Sequence, residues 1–269
     1  MGKLDGRVAM VTGASRGIGK ACALALAKEG ADLILASKSL DETDPRLPGT
    51  LRDVQHEVEA LGRRAHAVKC DVRFVDQIFS AVEEGAARLG RLDILLNNAG
   101  AFWWHDIEET PEKKWDLVMS INAKAPFFAA QACLPYMKKN GWGHIVNMSP
   151  PVRVEAAAHK IAYMISKFGM TLLTHGLAEE QAPNNIAVNS LWPVTIIESY
   201  ASINGGLGGP ELWRKADILA DATLAVVTAD PKKRTGRALF DEEVLREEGI
   251  TDLSEYACVP GTNPPPIPW

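Results

Sequence analysis

Tyr163 and Lys167 stand four residues apart in a run, Ala162 to Gln181, whose apolar positions recur at helical spacing. Residues at i and i+4 lie on one face of a helix, one above the other. A phenol ordinarily titrates near ~10 and is a poor acid or base at neutral pH. An ammonium about 4 Å away, at an effective dielectric of ~20, favours the phenolate by ~4 kcal/mol, or roughly three pKa units. That would bring Tyr163 into the range of general acid–base catalysis. The spacing alone is common, and usually marks a half-buried phenol beside a solvated amine. Other motifs have to carry the reading.

The strongest of these is Thr12-Gly13-Ala14-Ser15-Arg16-Gly17-Ile18-Gly19, between an apolar strand (Val8 to Val11) and a helix (Gly17 to Glu29). Glycines let a backbone turn tightly and approach a pyrophosphate, and the helix N-terminus offers free N–H groups. The spacing Gly-x-x-x-Gly-x-Gly points to a dinucleotide, with Gly13, Ser15, Arg16, Gly17, Ile18 and Gly19 as its cradle. A plain glycine-rich turn and a methyltransferase-like nucleotide loop are the rival readings. The second strand ends in Ala36-Ser37-Lys38-Ser39, without the carboxylate that commonly holds the 2′-hydroxyl of NAD(H). Ser37 and Lys38, with Arg16 able to reach the same place, fit a 2′-phosphate and favour NADP(H) over NAD(H).

The elements that would position these residues alternate. Strands are expected at Val8–Val11, Asp32–Ala36, Ala65–Cys70, Leu92–Leu96, Gly143–Asn147, Ile186–Leu191 and Arg237–Phe240, with helical runs between them. Strands apolar on both faces and separated by helices predict a parallel sheet covered on both sides. Pro111 to Asn140 reads as one long helix bent at Pro126 and Pro135. The segment 198–209 reads as an irregular flap, 212–229 as a helix, and the proline-rich stretch from Val259 as an extended surface segment. With no internal repeat or linker, residues 1–269 read as one domain, with a core over 4–242 and an extension over 243–269.

Composition narrows the function classes. Of 269 residues 46% are hydrophobic, and 29 Lys and Arg against 34 Asp and Glu give a net charge of -5. That balance argues against nucleic acid or an anionic membrane as the main partner. The four cysteines are far apart and have no metal-ligand spacing, so no metal is expected. The N-terminal residues lack the apolar stretch of a signal peptide, and a cytoplasmic setting is the expectation.

Three further pieces follow in order: Asn97-Asn98-Ala99-Gly100 closing the fourth strand, Asn122 in the next helix, and Ser149 after the fifth strand. With the glycine loop and the Tyr163/Lys167 pair, the set resembles the short-chain dehydrogenase/reductase family over residues 4 to about 242. The resemblance implies an α/β fold, a Rossmann-type doubly wound parallel sheet of seven strands, and hydride transfer to or from a nicotinamide. It implies Tyr163 as general acid/base, Lys167 on the nicotinamide ribose, Ser149 polarising the substrate oxygen, and Asn122 holding a water that links the lysine to solvent. It further implies Asp71 and Val72 at the adenine, Asn98, Ala99 and Gly100 as the cofactor floor, and Pro193, Thr195 and Ile196 near the carboxamide. Independently of the family, carbonyl reduction needs a hydride donor and a positioned proton donor.

The chain departs from the family pattern at two places. Proline occupies position 150, where the family usually keeps its serine, so Ser149 lies fourteen residues before Tyr163; and Pro193-Val194 replaces the usual Pro-Gly. These departures, Leu191-Trp192-Pro193, the Pro45 to Thr50 loop and the segment from Phe240 to Gly249 are similar to the hydroxysteroid-dehydrogenase-like type-two subgroup. The resemblance implies a lipid-, steroid- or terpenoid-like alcohol or carbonyl, and a homodimer or homotetramer built on the helices of Asn122 and Tyr163. Phe102-Trp103-Trp104 and Trp192 are placed at strand ends where an apolar substrate would bind. Reduction of a C=C bond in an acyl thioester, and a nucleotide sensor without chemistry, are the alternative functions.

Overall fold

The computed structural model describes residues 2–41, 48–151 and 153–267. Residues 45–47 of the Pro45 to Thr50 loop therefore lie outside the described residues. The first half is β1 (Val8–Thr12), α1 (Gly17–Lys28), β2 (Asp32–Ser37), α2 (Leu51–Ala60), β3 (Ala65–Lys69), α3 (Val75–Leu89) and β4 (Ile94–Asn97). After β4 come α4 (Glu112–Met119), a π-helical turn (Ser120–Lys124) and α5 (Ala125–Asn140), then β5 (Gly143–Met148), α6 (Ile161–Gln181) and β6 (Ile186–Trp192). The last part holds β7 (Ile196–Ile197), α7 (Tyr200–Asn204), β8 (Trp213–Arg214), α8 (Asp217–Val227), β9 (Ala238–Phe240) and α9 (Asp241–Glu247).

One seven-stranded sheet runs β3-β2-β1-β4-β5-β6-β9, every pair parallel. β7 and β8 form a separate parallel pair. Alternation along each strand divides the core. Leu33, Leu35, Ile94, Leu96 and Val146 pack under α1 and α8, with Cys22 and Leu26. Ile34, Leu95, Ile145 and Val188 pack under α3, α5 and α6, with Ile78, Val82 and Cys133. The order reverses direction between β1 and β4, so the segments that leave their carboxyl ends run to opposite sides and leave a crevice, where ligands of open α/β sheets bind.

Several sequence expectations change. The run Glu112–Asn140 is long and apolar enough by length and composition to cross a membrane; here α5 packs its buried face against α3 and the sheet. Its irregularity falls at the π-turn around Asn122, ahead of Pro126. Proline lacks the N–H that the Asn122 carbonyl would receive four residues on, so the helical ladder shifts there. The expected flap at 198–209 is partly regular: Ser199 caps α7 through a reciprocal capping box with Ser202. The helix expected at 212–229 is confined to α8, because Trp213 and Arg214 pair with Ile196 and Ile197. α9 was not anticipated.

Candidate active site

The carboxyl ends of β1, β4, β5 and β6 open onto a cavity of about 360 Å³, lined by Tyr163, Lys167, Ser149 and Pro150 among others. Arg16, Asn98 and Gly100 line both this cavity and a second cleft of about 580 Å³, which covers Gly13, Ser15, Ser37, Lys38, Asp71, Val72 and Ala99. All the predicted residues except Asn122, which is buried behind the wall, are thus brought to one continuous groove, with Tyr163 at one end and Lys38 at the other.

The glycine loop has the form a phosphate cradle requires. Gly13 has φ +67°, and a Cβ there would stand 3.0 Å from Asn98 Nδ2. A Cβ on Gly19 would run into the Gly13 carbonyl and come within 2.5 Å of the same amide. Asn98 Nδ2 donates to the carbonyls of Thr12 (2.9 Å) and Gly13 (3.2 Å), while Thr12 Oγ1 accepts the N–H groups of Asn98 and Ala99, each at 3.1 Å. These bonds lash the end of β4 to the end of β1. Gly17 and Ile18 open α1 at the same place.

At the far end, Arg16 donates to the Gly49 carbonyl at 3.1 Å and to Ser15 Oγ at 3.3 Å, so it is held at the groove wall. Asp71, expected at the adenine, is gripped by the Arg73 guanidinium, and those hydrogen bonds hold its carboxyl below the usual range. Both Asp71 oxygens are engaged by Arg73, a residue the sequence reading did not single out.

Around the phenol, the Phe102 ring lies 5.9 Å and the Trp104 ring 6.2 Å from that of Tyr163, both edge-on, and Lys160 Nζ sits 4.8 Å over Trp104. Lys167 Nζ donates to the Met148 carbonyl at 2.9 Å. Burial pushes the Tyr163 phenol up from its ordinary value and the Lys167 ammonium down to about 8. This reverses the direction expected for Tyr163 from spacing alone, because desolvation of the phenolate dominates in the protein as it stands. Ser149 N–H donates to Leu191 at 3.1 Å, continuing the β5–β6 ladder, and its Oγ has only long contacts to the carbonyls of Pro150 (3.4 Å) and Lys167 (3.5 Å). That hydroxyl is buried at the cavity wall without a strong acceptor.

The Asn122 side chain is fully committed. Its Nδ2 donates to the Ala101 carbonyl (2.9 Å) and Ser166 Oγ (3.0 Å), and its Oδ1 accepts the Ala101 N–H (2.8 Å). It therefore clamps the loop after β4 to α6. A Cβ on Gly100 would lie 3.7 Å from Asn122 Oδ1 and 3.9 Å from Lys167 Nζ, which puts glycine between the two.

Pro193, Thr195 and Ile196 line the cavity as expected. Thr195 is 1% exposed, and its Oγ1 has no hydrogen-bond partner among the described residues. Such a group costs free energy unless a ligand satisfies it. Val194 is held on both sides: its N–H donates to Asp241 Oδ1 at 3.0 Å, and its carbonyl accepts the Ile267 N–H at 2.8 Å.

Other aromatic expectations divide. Trp104 lines the cavity. Trp192 packs against Phe240 at 5.5 Å instead, and Trp103 stacks on His105 at 4.0 Å. His105 and His159 pair with Glu109 and Asp106 at the surface. The sequence reading also missed a buried chain below the site: Asn97 to Asn147 (2.9 Å), Asn147 to Thr174 (2.8 Å), Thr174 to Ser190 (2.7 Å). It ties β4, β5, α6 and β6 together, and polar residues near the ends of apolar strands were its only signal. Among the described residues no group of three His, Cys, Asp or Glu side chains could hold a metal.

A family model described as short chain dehydrogenase matches residues 7–200. Hydroxysteroid dehydrogenase-like protein 2 of Bos taurus is 44% identical over 263 residues, 97% of this chain and 62% of its own length. The chain thus spans less than two thirds of that relative. A short chain dehydrogenase structure from Mycobacterium thermoresistibile superposes with TM-score 0.91 at 38% identity, covering 99% of this chain and 95% of that one. A metagenomic short-chain oxidoreductase in complex with NADP gives TM-score 0.75 at 30% identity (88% and 97% covered). Carveol dehydrogenase from Mycobacterium avium in complex with NAD gives 0.79 at 26% (89% and 97% covered).

Proposed function

Because the chain belongs to the short chain dehydrogenase family, whose fold binds NAD(P), we propose that it is an NADP(H)-preferring oxidoreductase interconverting an apolar alcohol and its carbonyl, with Tyr163 as the proton-transfer group. The observation that carries this reading is the single groove that begins at the glycine cradle and Lys38 and ends at Tyr163, Lys167 and Ser149. The residues suit the cofactor: a glycine loop so tightly packed that a Cβ at Gly19 would collide with the Gly13 carbonyl and the Asn98 amide, and an unsatisfied Thr195 hydroxyl where the carboxamide would lie.

When bound, the reduced nicotinamide would supply the hydride. Ser149 Oγ, without a strong acceptor of its own, is available to donate to the carbonyl oxygen and polarise it. The Tyr163 hydroxyl would give its proton to that oxygen as it becomes an alkoxide, and a phenol held protonated by burial suits the reductive direction. Lys167, with its ammonium anchored on Met148, would hold a ribose hydroxyl and favour the phenolate left behind. Asn122 keeps the floor in place through Ala101 and Ser166. Lys38 and Arg16 would meet a 2′-phosphate. Phe102 and Trp104 supply an apolar wall suited to a lipid-, steroid- or terpenoid-like molecule.

Members of the family often form oligomers. On α6, Ile161, Ile165, Phe168 and Leu172 are 39%, 43%, 53% and 63% exposed at helical spacing, beside Phe127 of α5 at 52%. We propose that a second copy of the chain covers this stripe.

The test is a panel of cyclic, terpenoid and steroid alcohols and ketones, with enoyl thioesters included, followed by nicotinamide absorbance with each cofactor. Turnover of a ketone with NADPH at higher kcat/KM than with NADH is expected. Turnover confined to enoyl thioesters, or to NADH, would overturn the respective part of the proposal.

A further inference from the structure

The proline-rich stretch does not simply run along the surface; it returns to the mouth of the cavity. Its start is fixed on the β7–β8 unit. Lys215 N–H donates to the Tyr256 carbonyl at 2.7 Å, Cys258 N–H donates to the Trp213 carbonyl at 3.1 Å, and the Tyr256 hydroxyl donates to Asp221 Oδ2 at 2.7 Å. A turn follows, with Thr262 N–H on the Val259 carbonyl at 3.2 Å and Gly261 at φ +83°. Pro264 is buried, Pro266 pairs antiparallel with Thr195, and Ile267 N–H donates to Val194 at 2.8 Å. The Ile267 side chain then lines the same cavity as Tyr163 and Ser149.

We infer that Ile267 is a specificity-determining residue, the outer wall that limits how large an apolar substrate the cavity admits. The inference rests on the alcohol/carbonyl reading of this cavity and adds to it a residue that lies a hundred positions beyond the catalytic tyrosine. Three features support it. Ile267 lines the same cavity as the apolar residues Phe102, Trp104 and Leu207. The segment is held at both ends by main-chain hydrogen bonds, so the wall is fixed in place. Pro264, Pro265 and Pro266 restrict the intervening backbone to extended conformations, so little conformational entropy is lost in holding it there. Among the described residues only His159 and Asn185 are non-glycines with positive φ, so the backbone at Val194 does not require the glycine that the family usually has there. Both Val194 backbone groups are already engaged, one by Asp241 and one by Ile267.

The experiment uses the full chain with saturating NADP+ and two ketones of different bulk, cyclohexanone and 2-decalone. Binding is followed by quenching of tryptophan fluorescence, to which Trp104 in the cavity lining contributes, and needs no turnover. Ile267→Ala should raise the affinity for 2-decalone relative to cyclohexanone by about tenfold or more, and Ile267→Phe should lower it by a similar factor. NADPH affinity in both variants should stay within about twofold of the parent, because the backbone bonds to Val194 and Thr195 do not depend on the side chain. If the parent binds both ketones and neither variant changes their ratio, Ile267 is not a wall, and the proposed function stands. A parallel loss of NADPH and ketone affinity would make Ile267 a support of the cofactor loop and overturn the inference. If parent and variants all bind NADPH but neither ketone, the apolar-substrate reading falls, and the wall with it. Ile267 is only partly buried, and thermal unfolding of both variants checks that each is folded.

Discussion

The Lys167 ammonium is tied to the carbonyl of Met148, the last residue of β5, at 2.9 Å. The amine that helical spacing sets one turn from the phenol is therefore also part of the strand end that presents Ser149. This hydrogen bond, together with that of Asn147 to Thr174 further along the same strand and helix, couples the tyrosine's helix to the serine's strand.

That anchoring comes with a burial cost that can be measured. Lys167 is 6% exposed, and burial lowers its pKa from 10.5 to about 8. Between about pH 8 and 10.5 the unfolded chain binds the proton more tightly than the folded one, so stability rises with pH across that window. At pH 7 the cost is about 3 kcal/mol. Lys167→Met should abolish turnover yet raise stability at pH 7 by roughly 1–2 kcal/mol, after the loss of the Met148 bond, with the gain fading toward pH 10. Urea unfolding at the two pH values checks this. A variant less stable at pH 7 would show that the hydrogen bond outweighs desolvation.

Asp241 is a second buried charge, with 0% exposure. It accepts the N–H groups of Val194 and Glu242 through Oδ1, and burial raises its pKa from 3.8 to about 7. Between those values the folded chain holds the proton and the unfolded chain does not, so stability falls as pH rises from 3.8 to about 7 and stays low above it. Asp241→Asn keeps the accepting oxygen and removes the charge. It should stabilise the protein by up to about 4 kcal/mol at pH 8, shrinking as pH falls toward 4. Thermal unfolding against pH reads the difference, and an equal effect at both ends would exclude ionisation as its source.

Gly19→Ala should disturb the cradle directly, since the added methyl meets the Gly13 carbonyl and the Asn98 amide, which has its own bonds to Thr12 and Gly13. NADPH affinity should fall by about tenfold or more, the equivalent of some 1.4 kcal/mol. Titration by cofactor fluorescence would reveal it. An unchanged Kd would mean that the loop does not hold the pyrophosphate.

Lys38 decides the choice of cofactor in this account. Lys38→Ala should weaken NADPH by about tenfold while leaving NADH within about twofold, because only the former carries a 2′-phosphate. Equal losses for both cofactors would assign Lys38 a role other than reading that phosphate.

The sheet was legible in the sequence because its signals are local. Short continuous apolar runs such as Leu33-Ile34-Leu35 mark strands covered on both faces, and Gly13 to Gly19 marks the turn between β1 and α1. The groove was legible for the same reason, since strand ends carry Lys38, Asn98 and Ser149. What spacing could not show depends on tertiary contacts. The rise in the Tyr163 pKa comes from desolvation, which the i, i+4 rule omits. The Arg73 grip on Asp71, the Asn97–Asn147–Thr174–Ser190 chain and the return of Ile267 to Val194 each depend on where a distant or neighbouring segment packs. Trp192 and Trp104 looked equivalent as residues near strand ends. Only packing sends one to Phe240 and the other to Tyr163.

The most direct test of the central claim is to measure NADPH binding and ketone reduction side by side in Tyr163→Phe. The ring contacts to Phe102 and Trp104 are kept and only the hydroxyl is lost. The account predicts an unchanged NADPH Kd with kcat lowered by about 10²- to 10⁴-fold, the usual contribution of a positioned acid or base. Reduction at the parental rate with NADPH still bound would contradict it, and would move the proton-transfer role away from Tyr163.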